Sequence, residues 1–452
     1  MWGLTTPAGL FRATALLISI GIGLDSPSSA QGQQDSAVLF RNVRIFDGKN
    51  AALSAASNVL IRNRKIEKIS TTDITAVAQV IDGGGRVLMP GLIDAHWHAM
   101  LVRPTPMAAL AGDVGYNNLL AASEATATLM RGFTTVRDMG GPAFGLKQAI
   151  DEDLVAGPRI YPSGAIITIT GGHGDFRQLS DLPRTIGGML SRMERIGGSM
   201  VADSPDEVRV RAREQLMQGA SQVKLTAGGG VASPFSPLDV STFTEPELRA
   251  AVEAADNWGT YVATHAYTPV AIQRSIAAGV RCIEHGHLMD EASAKLMAEK
   301  GIWLSTQPFL DMSMAAALGP SEQDKMRQVV AGTDRVYALA KKYGIKTAFG
   351  TDVLFSKALA DRQGAMLAAL TRWYTPAEAL TMATSTNAEL LSLSGPRNPY
   401  PGKLGVVAEG ALADLLLVDG NPLDDIKLVE DPAKNFVVIM KDGRIYKNKL
   451  AH

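Results

Sequence analysis

Between residues 92 and 352 the chain repeats one rhythm eight times, a short β-rich run followed in most cases by a longer amphipathic one. Candidate strands lie at residues 92–98, 134–138, 159–167, 222–226, 261–265, 282–285, 303–307 and 346–352. Helical segments at residues 121–131, 205–218, 245–258, 269–278, 291–299 and 321–343 separate most of them, the second capped by Ser204 and the third opened by Thr244. Parallel strands need long crossover connections, which such helices supply. The expected fold is therefore α/β, a (β/α)8 barrel whose functional residues sit at the C-terminal ends of its strands.

A different texture flanks this region. Residues 37–81 alternate short β-rich runs with turn signals, and the same pattern returns in Ala413-Asp414-Leu415-Leu416-Leu417-Val418 and in Phe436-Val437-Val438-Ile439-Met440, where Asp442-Gly443 marks a hairpin. These are expected to be short strands of an antiparallel sheet. Residues 31–91 and 396–452 are then expected to form one small β-sandwich, into which the barrel of residues 92–395 is inserted. Residues 1–30 read as a secretory signal: Arg12 precedes an apolar run at residues 13–24 that is too short to span a bilayer, and Ser28-Ser29-Ala30 supplies small residues for cleavage. The expected address is periplasmic or secreted. Formal net charge is −1, so neither nucleic acid nor a membrane surface is expected as a partner. Cys282 is the only cysteine, which excludes an intrachain disulfide.

Two of the seven histidines, His96 and His98, end the first candidate strand. Side chains at i and i+2 of a strand share a face, so both imidazoles point to one place. His265 ends the fifth strand, His285 the sixth and Asp352 the eighth, all at the same rim. Imidazole together with carboxylate suits zinc and similar divalent ions. In the fourth strand Lys224 lies between Val223 and Leu225, so outward packing of those two turns its ammonium into the barrel. A buried lysine must be paired or deprotonated. Either it meets an interior carboxylate, or as the neutral amine it has added CO2 and become an anionic carbamate able to bridge two cations.

This set resembles the amidohydrolase superfamily in its binuclear form: HxH on strand 1, Lys on strand 4, His on strands 5 and 6, Asp on strand 8. Thr135-Val136-Arg137-Asp138, Gly171-Gly172-His173-Gly174-Asp175, Gly228-Gly229-Gly230, Thr264-His265-Ala266-Tyr267 and Ile283-Glu284-His285-Gly286-His287 are similar to the exported prolidase and carboxypeptidase branch, which includes ochratoxin-hydrolysing amidases. The resemblance implies two divalent ions, zinc foremost. His96, His98 and Asp352 would hold one, His265 and His285 the other, with N6-carboxylysine at Lys224 bridging. His287 then either supports the ligands from behind or is structural, because the family's ligand is the histidine directly after the glutamate. The resemblance also implies that His173 polarises the scissile carbonyl, that Tyr267 contacts substrate, and that the chain forms a ring-like homo-oligomer such as an octamer. Arg137 and Asp138 are expected to form an internal ion pair, and strand alternation is expected to turn Glu284 away from His285.

Two divalent ions bring the pKa of bound water from about 15.7 towards roughly 7. Asp352 would accept the proton of that water and return it to the departing amine. The substrate class implied by the resemblance is a dipeptide or N-acyl amino acid with a free carboxylate, including ochratoxin A-type N-acyl phenylalanine amides. Trp97 and Met100 beside the metal motif point towards a bulky group. Alternatives are lactone or phosphotriester hydrolysis on the same site, imidazolone-ring opening by a mononuclear relative, and an exported metal-binding protein without catalysis.

Overall fold

The computed structural model describes residues 37–178, 189–233, 235–316 and 318–450. The export signal expected at residues 1–30 lies outside the described residues, as do residues 31–36 of the expected sandwich.

The barrel strands are Leu92–Trp97, Phe133–Asp138, Arg159–Pro162 continuing as Ile166–Thr168, Val223–Thr226, Val262–Ala266, Cys282–His285, Trp303–Thr306 and Thr347–Phe349. From the fourth strand to the eighth the ladder is parallel and unbroken. The third strand is not the single run expected over residues 159–167. It breaks at Gly164, whose φ of 74° lies in the left-handed region. Its first half pairs with the second strand and its second half with the fourth, while Ser199–Val201 adds a further parallel strand on Ile166–Thr168.

Closure between the eighth strand and the first is made largely by side chains. The amide of Asn387 donates to the carbonyls of Ile93 (2.7 Å) and Phe349 (2.8 Å), and its oxygen accepts from Phe349 N–H at 3.0 Å. Asp352 N–H then reaches the His96 carbonyl at 2.8 Å. The two strands approach so closely at Gly350 that a Cβ there would lie 2.5 Å from Cβ of His96.

Local chemistry sets the helix limits. Ser204 accepts from Glu207 N–H and precedes Pro205, so the helix Pro205–Met217 starts with its free N–H groups partly satisfied. The helix Glu245–Trp258 opens with the Glu247 carboxylate reaching back to Thr244 N–H at 2.7 Å and ends at Gly259 with φ 70°. These helices bury Leu248, Ala251 and Val208 against the outward faces of the strands, among them Val223 and Leu225. That packing leaves Lys224, 2% exposed, on the inner face.

Both ends of the chain build the β-domain. Its sheet runs Arg444–Asn448, Phe436–Lys441, Leu415–Val418, Val87–Pro90, Val38–Ile45, Ser57–Arg62, Lys65–Ser70, and Gln79–Asp82 pairs with Val38–Ile45 as well. Leu415–Val418 joins Val87–Pro90 and so ties the two ends together. The sheet is mixed, not wholly antiparallel as expected. A bulge at Asn42 (φ 51°) bends Val38–Ile45, so that its first half lies parallel to Gln79–Asp82 and its second half parallel to Val87–Pro90. Among the described residues no helix is long and apolar enough to cross a membrane.

Candidate active site

His96, His98, His173, Lys224, His265, Tyr267, His285 and Asp352 all line one cavity at the C-terminal ends of the strands. Oδ1 of Asp352 lies 3.3 Å from His96 Nε2 and 3.2 Å from His98 Nε2, and ligand atoms of His96, His285 and Asp352 fall within 4.8 Å of one another. The His265 ring centroid is 4.4 Å from that of His285. Two of these residues sit in the left-handed region, His285 at φ 76° and Asp352 at φ 53°. Such backbone is costly and clusters at functional sites, where the surrounding structure imposes it.

The hydrogen-bond partners fix which ring nitrogen is free. His96 Nδ1 faces the Glu284 carboxylate at 2.8 Å, His98 Nδ1 the Gly140 carbonyl at 2.9 Å, and His285 Nδ1 the Gln307 amide oxygen at 2.7 Å. Each of these partners is an acceptor, so each Nδ1 carries a proton, which leaves Nε2 of His96 and His285 with a lone pair. Gln307 Nε2 also lies 3.4 Å from His96 Nδ1, and at His98 burial is outweighed by the Asp352 hydrogen bond, which raises the pKa. His265 is reversed: its Nε2 faces the Gly229 carbonyl at 2.8 Å, which leaves Nδ1 free. Burial lowers the pKa of His96, His265 and His285, so these rings stay neutral. Lone pairs of imidazoles therefore converge on the Asp352 carboxylate, a donor set that suits a cation. The residues fit divalent ions.

Lys224 has no hydrogen-bond or ion-pair partner among the described residues, and burial lowers its pKa. The salt bridge to an interior carboxylate is thus not formed.

His173 is held differently. Gly174 N–H donates to Ser233 Oγ at 3.2 Å, and the same hydroxyl lies 2.8 Å from His173 Nδ1. With Ser233 as the donor to Nδ1, Nε2–H faces the cavity. Burial holds the His173 pKa down at about 3, so the ring is a neutral donor. Lys325 anchors this loop by donating to the carbonyls of Ser233 (2.7 Å) and Ser236 (2.9 Å). Gly230 packs under the imidazole, where a Cβ would come within 2.1 Å of Nδ1. Tyr267 stands edge-on to His265 at 4.8 Å, and burial raises its hydroxyl pKa, keeping it a donor.

Three expectations are corrected. Arg137 does not pair with Asp138, because adjacent strand residues face opposite sides. Its guanidinium donates to Glu284 Oε1 (2.7 Å), the Ala95 carbonyl (2.6 Å) and the Tyr261 hydroxyl (3.0 Å). Asp138 instead accepts from Ala99 N–H (2.7 Å) and Gly140 N–H (3.2 Å), and burial raises its pKa to about 7. Glu284 is not remote from the site: the left-handed turn at His285 defeats simple alternation and lets both residues face the interior. Trp97 and Met100 do not line the cavity but pack in a neighbouring apolar cluster. The apolar wall comes from Phe176, Phe309, Met314, Leu354, Phe355 and Leu359.

Glu284, Gln307 and Ser233 were missed by sequence reasoning as parts of the site. Glu284 carried a signal, a carboxylate within a strand that otherwise reads as buried, whereas Gln307 and Ser233 gain meaning only from partners far along the chain. His287 donates to the Gln307 carbonyl at 3.0 Å and stacks on Phe309, consistent with its structural assignment.

The sequence pattern of the amidohydrolase family matches residues 87–447. Ochratoxinase of Aspergillus niger is 31% identical over 389 residues, which cover 80% of this chain and 76% of the relative. A crystal structure of an amidohydrolase is 37% identical with a TM-score of 0.84, covering 92% of this chain and 100% of that one. A prolidase crystallised with N-methylphosphonate-L-proline is 34% identical, TM-score 0.84, covering 91% of this chain and 100% of that one. With the barrel, the histidine rim and the matched pattern in agreement, the chain belongs to the amidohydrolase family and is a metal-dependent hydrolase.

Proposed function

We propose that the protein hydrolyses the amide or peptide bond before a C-terminal amino acid in dipeptides or N-acyl amino acids, with a preference for bulky apolar groups. The observation that carries this reading is the convergence of imidazole nitrogens and Asp352 beside the neutral imidazole of His173. His96, His98 and Asp352 would hold one divalent ion and His265 and His285 another, with carboxylated Lys224 between them. Bound there, the ions would act as Lewis acids and make hydroxide available near neutral pH.

The chain's own residues then divide the remaining work. His173 donates to the carbonyl oxygen, where negative charge develops. Asp352 takes the proton released by water and passes it to the amine, which must be protonated to leave. Tyr267 donates to the substrate from the adjacent wall. The phenyl and aliphatic side chains of Phe176, Phe309, Phe355 and Leu359 favour an aromatic or large aliphatic group. Ochratoxinase and prolidase among the relatives support amide cleavage. The run at residues 13–24 supports export as the setting in which the enzyme works.

The test combines metal analysis with a hydrolysis panel of N-acyl-phenylalanine, N-acyl-proline, dipeptides, a lactone and a phosphotriester. Two ions per chain and faster turnover of N-acyl-phenylalanine than of N-acyl-proline are expected. One ion per chain with no loss on Lys224→Ala, or turnover of only the lactone or phosphotriester, would overturn the reading.

A further inference from the structure

The seventh barrel strand contributes no candidate ligand, yet it ends in a fully buried polar residue. Gln307 follows Trp303–Thr306 and has 0% exposure. A buried primary amide must place two donors and an acceptor. Its oxygen accepts from His285 Nδ1 at 2.7 Å, and its own carbonyl accepts from His287 Nε2–H at 3.0 Å. His287 also stacks on Phe309 with ring centroids 5.1 Å apart and planes 14° apart. One turn of chain, residues 307–309, is thereby pinned from beneath. Thr306 adds to this by donating to the His285 carbonyl at 2.8 Å.

We propose that Gln307 is a positioning residue: it holds His285 in the Nδ1–H tautomer, so that Nε2 presents its lone pair to the cavity, and His287 serves to hold Gln307. The inference rests on the reading of His285 as a ligand. The reason is one of proton placement. Without an acceptor at Nδ1, the imidazole proton is free to move to Nε2, and a protonated Nε2 cannot ligate. Sequence position offers no hint of this role, since Gln307 lies 22 residues from His285.

The experiment uses the whole chain as wild type, Gln307→Leu and Gln307→Glu. Zinc binding is followed by titration against a chelating indicator, and the His285 tautomer by 15N NMR of the metal-free protein, its signals assigned by difference with His285→Asn. Gln307→Leu is expected to weaken the more labile zinc by about 10- to 100-fold and to give Nε2–H signal at His285. Gln307→Glu keeps an acceptor and should restore both readouts to near wild type. Two ions of unchanged affinity together with an unchanged tautomer in Gln307→Leu would overturn the role of Gln307 and leave the metal reading intact. A wild-type chain that binds no zinc would instead overturn the metal reading, while the tautomer spectrum still judges Gln307. Should Gln307→Leu not fold, an Nε2–H tautomer in metal-free wild type, or in Gln307→Glu, sinks the proposal.

Discussion

Glu284 Oε2 lies 2.8 Å from His96 Nδ1, joining the sixth barrel strand to the first across 188 residues of sequence. Its other oxygen accepts from Arg137 at 2.7 Å and from the Cys282 thiol at 3.1 Å, and both Glu284 and Arg137 are fully buried. A carboxylate so placed does two things: it orients an imidazole and neutralises a guanidinium that has no access to water.

Glu284→Gln separates these two roles. The amide oxygen can still accept from one neighbour, but Arg137 is left as a buried cation without its counter-charge. Removing one partner of a buried pair costs about 3–5 kcal/mol. Urea denaturation of the metal-free variant is expected to show a loss of that size, and a change under about 1 kcal/mol would contradict the assigned burial of the pair.

Asp352→Asn keeps an oxygen beside His96 and His98 but cannot accept the proton of water. Metal content should remain near that of wild type while kcat falls by about 10²–10⁴-fold. Near-wild-type turnover would remove Asp352 from the proton-transfer role.

Ser233→Ala takes away the hydroxyl that fixes His173 with Nε2–H facing the cavity. Loss of a donor at the reacting carbonyl oxygen costs about 10²–10³-fold in kcat, and freeing the tautomer should approach the lower end of that range with little change in KM. A variant that raised KM alone would show that Ser233 shapes the pocket without directing His173.

The buried histidines also set a direction for pH. Burial lowers the His287 pKa to about 4 and that of His173 to about 3, against an unfolded value near 6.5. The unfolded chain therefore binds more protons below pH 6.5. Stability is fullest above that pH and declines as pH falls towards the folded values. For His287 alone the decline between pH 7 and pH 5 is about 2 kcal/mol. Urea unfolding in the presence of a chelator should show a smaller decline for His287→Gln than for wild type, and equal slopes would contradict the neutral, buried His287.

The barrel was legible because its signals are local. Alternating apolar runs, N-capping serine and threonine, and prolines at helix starts all act over a few residues, and helices such as Glu245–Trp258 and Pro269–Ala278 coincide with their expected limits. The candidate ligands were legible for a related reason: a histidine at the end of a strand must point into or out of the barrel. What failed were inferences that extended strand alternation past its range. The break at Gly164, the bulge at Asn42 and the positive φ of His285 each interrupt the two-residue period. Glu284 was misplaced because it lies next to the positive φ of His285, whereas Arg137 and Asp138 were paired against the alternation that turns neighbouring strand residues to opposite sides.

The sequence by itself determined that five of eight strands would carry imidazoles, an amine and a carboxylate to one rim. Only the tertiary structure decided which proton sits on which nitrogen, because the hydrogen-bond partners of the rings, Glu284, Gly140, Gly229, Gln307 and Ser233, come from other strands and loops. A hydrogen bond depends on distances between residues far apart in the chain, and no local pattern encodes those distances. The first strand's histidine pair announces a metal; its partners across the barrel make its lone pairs available.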